Sequence, residues 1–100
     1  MNKYEVKISP QAFRDVDMIY GYVKNHFLEP GTAENLADEI EKGIFSLEEL
    51  PYRGAPRCVG QYANKGYRQL FVKNYTIVYR IEEEKKRVVI VTVKYAASDF

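Results

Sequence analysis

Residues 67–95 hold three strand-like stretches joined by very short links, and no other feature limits the fold as strongly. YRQLFV (67–72) and YTIVYRIE (75–82) are separated only by Lys73-Asn74. A two-residue link leaves neighbouring strands no option but to run antiparallel, and Asn74 tolerates the positive φ that such turns require. RVVIVTVKY (87–95) follows after the turn Glu83–Lys86. In 75–82, Tyr75, Ile77, Tyr79 and Ile81 alternate with Thr76, Val78, Arg80 and Glu82, so the two sets take opposite faces. VVIVTV is apolar on both faces, which predicts a central strand or one covered on its second face.

This meander needs a partner layer, and the first half of the chain supplies one. KYEVKI (3–8) alternates Tyr4, Val6 and Ile8 with charged residues, as a half-buried strand does. Ser9-Pro10 marks a helix start, with Ser9 as N-cap and Pro10 at the first helical position. Phe13, Val16, Ile19/Tyr20, Val23 and Phe27 predict a helix over about 10–27. Leu28-Glu29-Pro30-Gly31 breaks it. Thr32 is expected to cap a second helix carrying Ala33, Leu36, Ala37, Ile40, Ile44, Leu47 and Leu50, ended by Pro51. The predicted class is α+β, in the order β-α-α-β-β-β. A helical hairpin packs on a mostly antiparallel four-stranded sheet.

One hundred residues make one domain, burying roughly 65% of the surface that the unfolded chain exposes. No apolar run approaches the ~18 residues of a membrane span. The opening MNKYEVKISPQAF has no apolar leader core. The lone Cys58 cannot form an internal disulfide, so a cytoplasmic, reducing location is expected. The net charge of +1 hides a split. Residues 1–50 carry five Lys/Arg against ten Asp/Glu, and residues 51–100 carry ten against four. The balances are −5 and +6, which suits the second half to a polyanion or an acidic segment, although solvated charged faces are equally common.

Few residues offer chemistry. His26, the single histidine, lies near the end of the first helix, where the helix dipole favours a cation. No second histidine or cysteine pair completes a metal or nucleophile site with it, so neither a metal nor a cofactor is expected. Cys58 lies beside Arg57 with no visible base and reads as a free thiol. Glycine-rich phosphate motifs are absent. Asp38, Glu39 and Glu41 fall on the outer side of the second helix, and Glu82-Glu83-Glu84 beside Lys85-Lys86-Arg87 is a charged turn. There remains a sheet face expected to bear Arg68, Arg80 and Lys94, with Arg53, Arg57 and Lys65 in the preceding loop. Such cations bind phosphates. Tyr67, Tyr75, Tyr79 and Tyr95 either stack bases or form sheet core.

The element order, VKISPQAFRDVDMIYGYV, LEELPYRGAP and GYRQLFVKNYTIVYRIEEEKKRVVIVTVKY together resemble the RelE/ParE superfamily of bacterial type II toxins over nearly the whole chain. The resemblance implies a toxin neutralised by a cognate antitoxin lying across the sheet and helical hairpin. It also implies contact with operator DNA only through that antitoxin. RelE-like members cut mRNA on the ribosome, while ParE-like members poison DNA gyrase. In RelE-like nucleases an arginine follows the tyrosine or histidine that begins the strand matching 75–79. Thr76 stands there. An Arg, His or Tyr follows their last strand within a few residues, where this chain has Ala96 and Ala97. Alanine neither binds a phosphate nor transfers a proton. The resemblance therefore favours the ParE-like branch, with Arg57, Arg68, Arg80, Lys94 and Tyr95 as candidate contacts. The chain departs from many ParE-like sequences too, because Lys94-Tyr95-Ala96-Ala97 lacks a histidine or basic pair after the last strand. The alternatives are a ribosome-dependent endoribonuclease using those residues in unusual roles, and a non-toxic binding subunit of an antitoxin complex.

Overall fold

The computed structural model describes residues 3–26 and 31–97. The elements are β1 (Glu5–Ile8), α1 (Pro10–His26), α2 (Thr32–Ser46), β2 (Ala55–Pro56), β3 (Arg68–Val72), β4 (Tyr75–Glu82) and β5 (Arg87–Tyr95). The predicted class and order hold, with one correction. The sheet has five strands, not four, in the order β1-β5-β4-β3-β2. The addition is the two-residue β2, antiparallel to β3 with Pro56 opposite Arg68. It is too short for alternation to reveal, and proline confines it to an edge. β1 is parallel to β5; the β3–β4 and β4–β5 pairs are antiparallel. The expected helical Phe27 and the break at residues 28–30 lie outside the described residues.

β5 is an interior strand, between β1 and β4, as its apolar run predicts, and it carries an irregularity that the run does not show. Val78 pairs with Thr92 and the next residue, Tyr79, pairs with Ile90, so Val91 is an extra residue on β5. This bulge reverses the alternation. Val88 and Ile90 face the core before it, and Val93 does so after it. Ser9 serves both strand and helix here. Its Oγ accepts the Ala12 amide at 3.0 Å as the α1 N-cap and donates to the Val91 carbonyl at 2.9 Å.

The helices cover one sheet face. Ile40, Ile44 and Leu47 pack with Leu70, Ile77, Tyr79, Val88, Ile90 and Val93. α2 comes close to β3 at Gly43, where a Cβ would stand 2.7 Å from Val72 Cγ2. Three expectations about the helices are corrected. Phe13 is 62% exposed, because Ala12 and Asp15 face inward at that turn, while the expected Val16, Ile19 and Val23 do pack inward. Gly31, at φ 84°, occupies the N-cap of α2 without a side-chain cap, and Thr32 is the first helical residue. α2 ends at Ser46 rather than near residue 50. Its last amides tighten onto carbonyls three residues back, Leu47 to Ile44 and Glu48 to Phe45, leaving Leu50 61% exposed. In the β3–β4 turn, Lys73 rather than Asn74 takes positive φ, at 54°.

Tyr79 ties sheet to loop. It is fully buried, and its hydroxyl donates to the Pro51 carbonyl at 2.8 Å and accepts the Gly54 amide at 3.1 Å. Tyr79→Phe keeps the ring but strands both loop groups. The expected cost is about 1–3 kcal/mol in urea unfolding, and an unchanged midpoint would contradict this role.

Candidate functional site

Strand register decides which cations share a face. Arg68 is opposite Tyr79 on the helix-covered side, whereas Arg80, two residues from the Val78–Thr92 pair, points the other way with Lys94. The expectation of one face bearing Arg68, Arg80 and Lys94 is therefore corrected. Arg68 belongs to the opposite side because side chains alternate strictly along β3 and β4. Its Nη2 donates to the carbonyls of Gly54 (2.5 Å) and Tyr52 (3.2 Å), and the guanidinium lies 5.2 Å from the Tyr52 ring centroid. Its Nε is buried without an acceptor.

Arg80, Arg57 and Lys94 each already have company. Arg80 Nη2 lies 3.0 Å from Glu82 Oε2 on the same strand. Arg57, only 7% exposed, donates from Nε to the Val59 carbonyl at 3.0 Å and from Nη1 to Gln69 Oε1 at 2.7 Å. Lys94 Nζ lies 3.2 Å from Asp15 Oδ1. Tyr95 is half-exposed and packs edge-on against Tyr75, with centroids 5.7 Å apart. Among the expected base-stacking tyrosines, Tyr79 is core and Tyr67 meets Tyr62 edge-on at 5.0 Å.

Asp15 is the polar centre that the sequence reading missed. It is 3% exposed on α1 and lies against β5 just past the end of the β1–β5 pairing at Ile8 and Ile90. Its carboxylate accepts from the Thr92 hydroxyl, from the Val93 amide at 3.1 Å and from Gln11 Nε2 at 2.8 Å, besides pairing with Lys94. Burial pushes this carboxyl up, but the bonds from Thr92, Val93, Lys94 and Gln11 outweigh it and hold it below the ordinary range. The available signal was a lone acid on an apolar stripe, three residues after Ala12 and four before Ile19. Beside it, Met18, Tyr22, Tyr75, Val93 and Tyr95 line a groove of about 620 Å³ that Lys94 and Asp15 also border. Met18 and Tyr22 are both exposed, so this surface is largely apolar.

A second cluster closes the other end of the sheet. Glu83 accepts from the Tyr4 hydroxyl (2.6 Å), the Tyr52 hydroxyl (2.5 Å) and Lys86 Nζ (2.5 Å). The bonds from Lys86, then Tyr4 and Tyr52, hold its carboxyl down at about 2 against an ordinary 4.5. A depressed carboxyl contributes stability above its unfolded pKa and loses it as pH falls through the folded value. Glu83→Gln should therefore flatten the fall in urea midpoint between about pH 4.5 and about pH 2. A variant curve parallel to that of the parent over this window would refute the linkage.

Thr76 is 1% exposed, and its Oγ1 has no hydrogen-bond partner. It brings neither charge nor a proton-transfer group to the outer face. His26 Nδ1 lies 2.8 Å from the Tyr22 carbonyl, with the two rings stacked 4.0 Å apart. Cys58 is exposed, its Sγ 3.6 Å from the Pro56 carbonyl. No group of three His, Cys, Asp or Glu able to hold a metal occurs among the described residues. Nor is any helix among them long and apolar enough to cross a membrane.

The family model for the ParE toxin of the type II toxin-antitoxin system parDE matches residues 6–100. Among solved structures, the chain is similar to a chain of the chromosomal ParDE toxin-antitoxin system of P. aeruginosa. That match has TM-score 0.76 at 20% identity and covers 95% of this chain and 98% of that one. It is also similar to a chain of the RelBE2 toxin-antitoxin complex of Mycobacterium tuberculosis, with TM-score 0.69, 24% identity and coverage of 98% and 97%. A mutant E. coli toxin RelE in the free state matches at TM-score 0.60 and 14% identity, covering 95% and 85%. These likenesses show a shared fold. No curated protein matches the sequence.

Proposed function

Because the chain belongs to the ParE toxin family of type II toxin-antitoxin systems, we infer that it arrests growth by binding a macromolecular target, DNA gyrase, rather than by cutting RNA. The observation that carries this reading is the lack of cleavage chemistry where the RelE-like branch places it. Thr76 is buried and uncharged, and Ala96 and Ala97 follow the last strand. Cleaving a phosphodiester requires a cation on the developing charge and groups that move protons. On the outer face, Arg80 is already paired with Glu82, and Lys94 is engaged by the buried Asp15. These are supports for a binding surface.

Of the candidate contacts, Arg80, Lys94 and Tyr95 are the ones we assign to the target, since each is part-exposed toward solvent. Arg57 and Arg68 serve first to hold the loop between α2 and β3. A cognate antitoxin would cover the apolar groove at Met18, Tyr22 and Tyr95, with operator DNA reached through the antitoxin. A cytoplasmic location accords with both proposed partners.

The test is induction in a host lacking the antitoxin, with gyrase-linked DNA breaks and mRNA ends mapped in parallel. Growth arrest with breaks and no codon-positioned cuts supports the reading. Cuts in the ribosomal A site would replace it with the nuclease alternative, and unimpaired growth would leave the non-toxic binding subunit.

A further inference from the structure

The bulge in β5 decides where Lys94 points, and α1 holds the strand on both sides of that bulge. Without the extra residue Val91, the register that pairs Tyr79 with Ile90 would place Lys94 opposite Tyr75, on the helix-covered side. With it, Val93 enters the core and Lys94 stands opposite Thr76, on the outer side. The Ser9 hydroxyl, at the N-cap of α1, donates to the Val91 carbonyl at 2.9 Å. Further along the helix, Asp15 takes the next two residues of the strand, through the Thr92 hydroxyl and the Val93 amide.

The two oxygens of Asp15 have different duties. Oδ2 accepts from Thr92 and Val93, both almost fully buried, and so fixes α1 to the strand. Oδ1 accepts from Gln11 Nε2 at 2.8 Å and lies 3.2 Å from Lys94 Nζ. Thr92, Val93 and Gln11 already give this carboxylate three donors without the lysine. What the pair changes is therefore mainly the lysine. An ammonium has three N–H donors. One is directed to Asp15, and two remain on a side chain that is 39% exposed. A free lysine is rich in rotamers; this one is tethered to a carboxylate that is itself only 3% exposed and rigidly held.

We propose that Asp15 is a positioning residue for the contact that Lys94 makes with the target. It is too deeply buried to meet the target itself. Its Oδ1 orders the Lys94 ammonium at the border of the Met18–Tyr95 groove before the target arrives, so less side-chain freedom is lost on docking. The proposal rests on the assignment of Lys94 as a target contact.

The separating variant is Asp15→Asn. Its carboxamide oxygen serves Thr92 and Val93 in place of Oδ2, while its NH2 group turns a donor toward Lys94 and releases the ammonium. Two measurements are made on the full-length protein. Carbon relaxation of the Lys94 side chain, without any target, should show it ordered in the parent and mobile in Asp15→Asn. Gyrase supercoiling is then titrated with the parent, Asp15→Asn, Lys94→Ala and the double variant, each shown to be folded by circular dichroism at the assay temperature. Asp15→Asn should raise the half-inhibiting concentration about fivefold, the size expected for one long side chain left unordered. In the Lys94→Ala background, which retains Arg80 and Tyr95, it should add nothing, because it acts through Lys94 alone. A merely structural loss would weaken both backgrounds equally. Unchanged inhibition by Asp15→Asn, or the same loss in both backgrounds, would overturn the proposal and leave the gyrase reading in place. No inhibition by the parent would overturn the gyrase reading instead. The relaxation measurement still decides the positioning in that case: a Lys94 side chain equally mobile in parent and Asp15→Asn overturns it.

Discussion

Asp15→Ala is expected to lower stability by about 3 kcal/mol, the low end of the cost of breaking a buried charge pair. The low end applies because Lys94, with its side chain 39% exposed, can turn to solvent once its partner is gone. The Val93 amide and the Thr92 hydroxyl cannot follow, since both residues are almost fully buried. Each would be left without its acceptor. For a chain of this length the melting temperature should drop by about 4–8 °C per kcal/mol. Asp15→Asn separates the two contributions. It retains an oxygen for the Val93 amide but loses the charge facing Lys94. The parent should also lose stability in acid as pH falls below the ordinary aspartate pKa toward the depressed folded value, and Asp15→Asn should lack that component. Calorimetry across this pH range checks both. A shift under 1 kcal/mol for Asp15→Ala would mean that α1 is not anchored to β5 through this carboxylate.

Gly54→Ala should cost a similar amount, about 3 kcal/mol, by the opposite route. A Cβ there would collide with the Gln69 carbonyl oxygen and stand 2.6 Å from the Tyr79 hydroxyl and 3.0 Å from the Gln69 carbonyl carbon. Backbone in a sheet cannot yield as a side-chain tip can. Relief requires moving residue 54, and its amide and carbonyl are the groups that Tyr79 and Arg68 hold. Gly21→Ala is the control. A Cβ at Gly21 meets nothing within 4 Å, and alanine is the better helix former, so a small gain is expected. Urea unfolding of the two variants should move in opposite directions. Equal, small effects would show that the loop after α2 is loosely attached.

The fold was legible because its signals are local. Alternation in 75–82, a two-residue turn at Lys73-Asn74 and the Ser9-Pro10 helix start each act within a few residues. What escaped depends on registration between distant segments. The bulge at Val91 exists only relative to β4, so an apolar run that seemed two-faced is one face interrupted by a shift of parity. β2 is recognisable only through its partners Gln69 and Arg68. The helix stripes were legible through Val16, Ile19, Val23, Leu36, Ile40, Ile44 and Leu47, and one position of α1 was not. Phe13 looked like core, yet the stripe is set by where α1 meets β5, and that contact includes Asp15.

The candidate site was legible in composition but not in geometry. The sequence showed the basic residues that cluster in its second half, but not which were occupied. Arg68 stands out in GYRQLF as a strand cation, yet its register against Tyr79 turns it to the helix side, where loop carbonyls take it. Lys94 looked free until Asp15, far away in the chain, was placed beside it. Thr76 carried the same message in both views. It stands where a ribonuclease of the superfamily would place arginine, and it is buried without charge.

The most direct test of the toxin reading uses purified components. The protein is added to DNA gyrase with relaxed plasmid and ATP, and supercoiling and protein-linked DNA cleavage are followed on gels. Inhibition of supercoiling with accumulation of cleaved DNA, relieved in a variant carrying both Arg80→Ala and Lys94→Ala, is the predicted result. Full supercoiling with a stoichiometric excess of folded protein would contradict it.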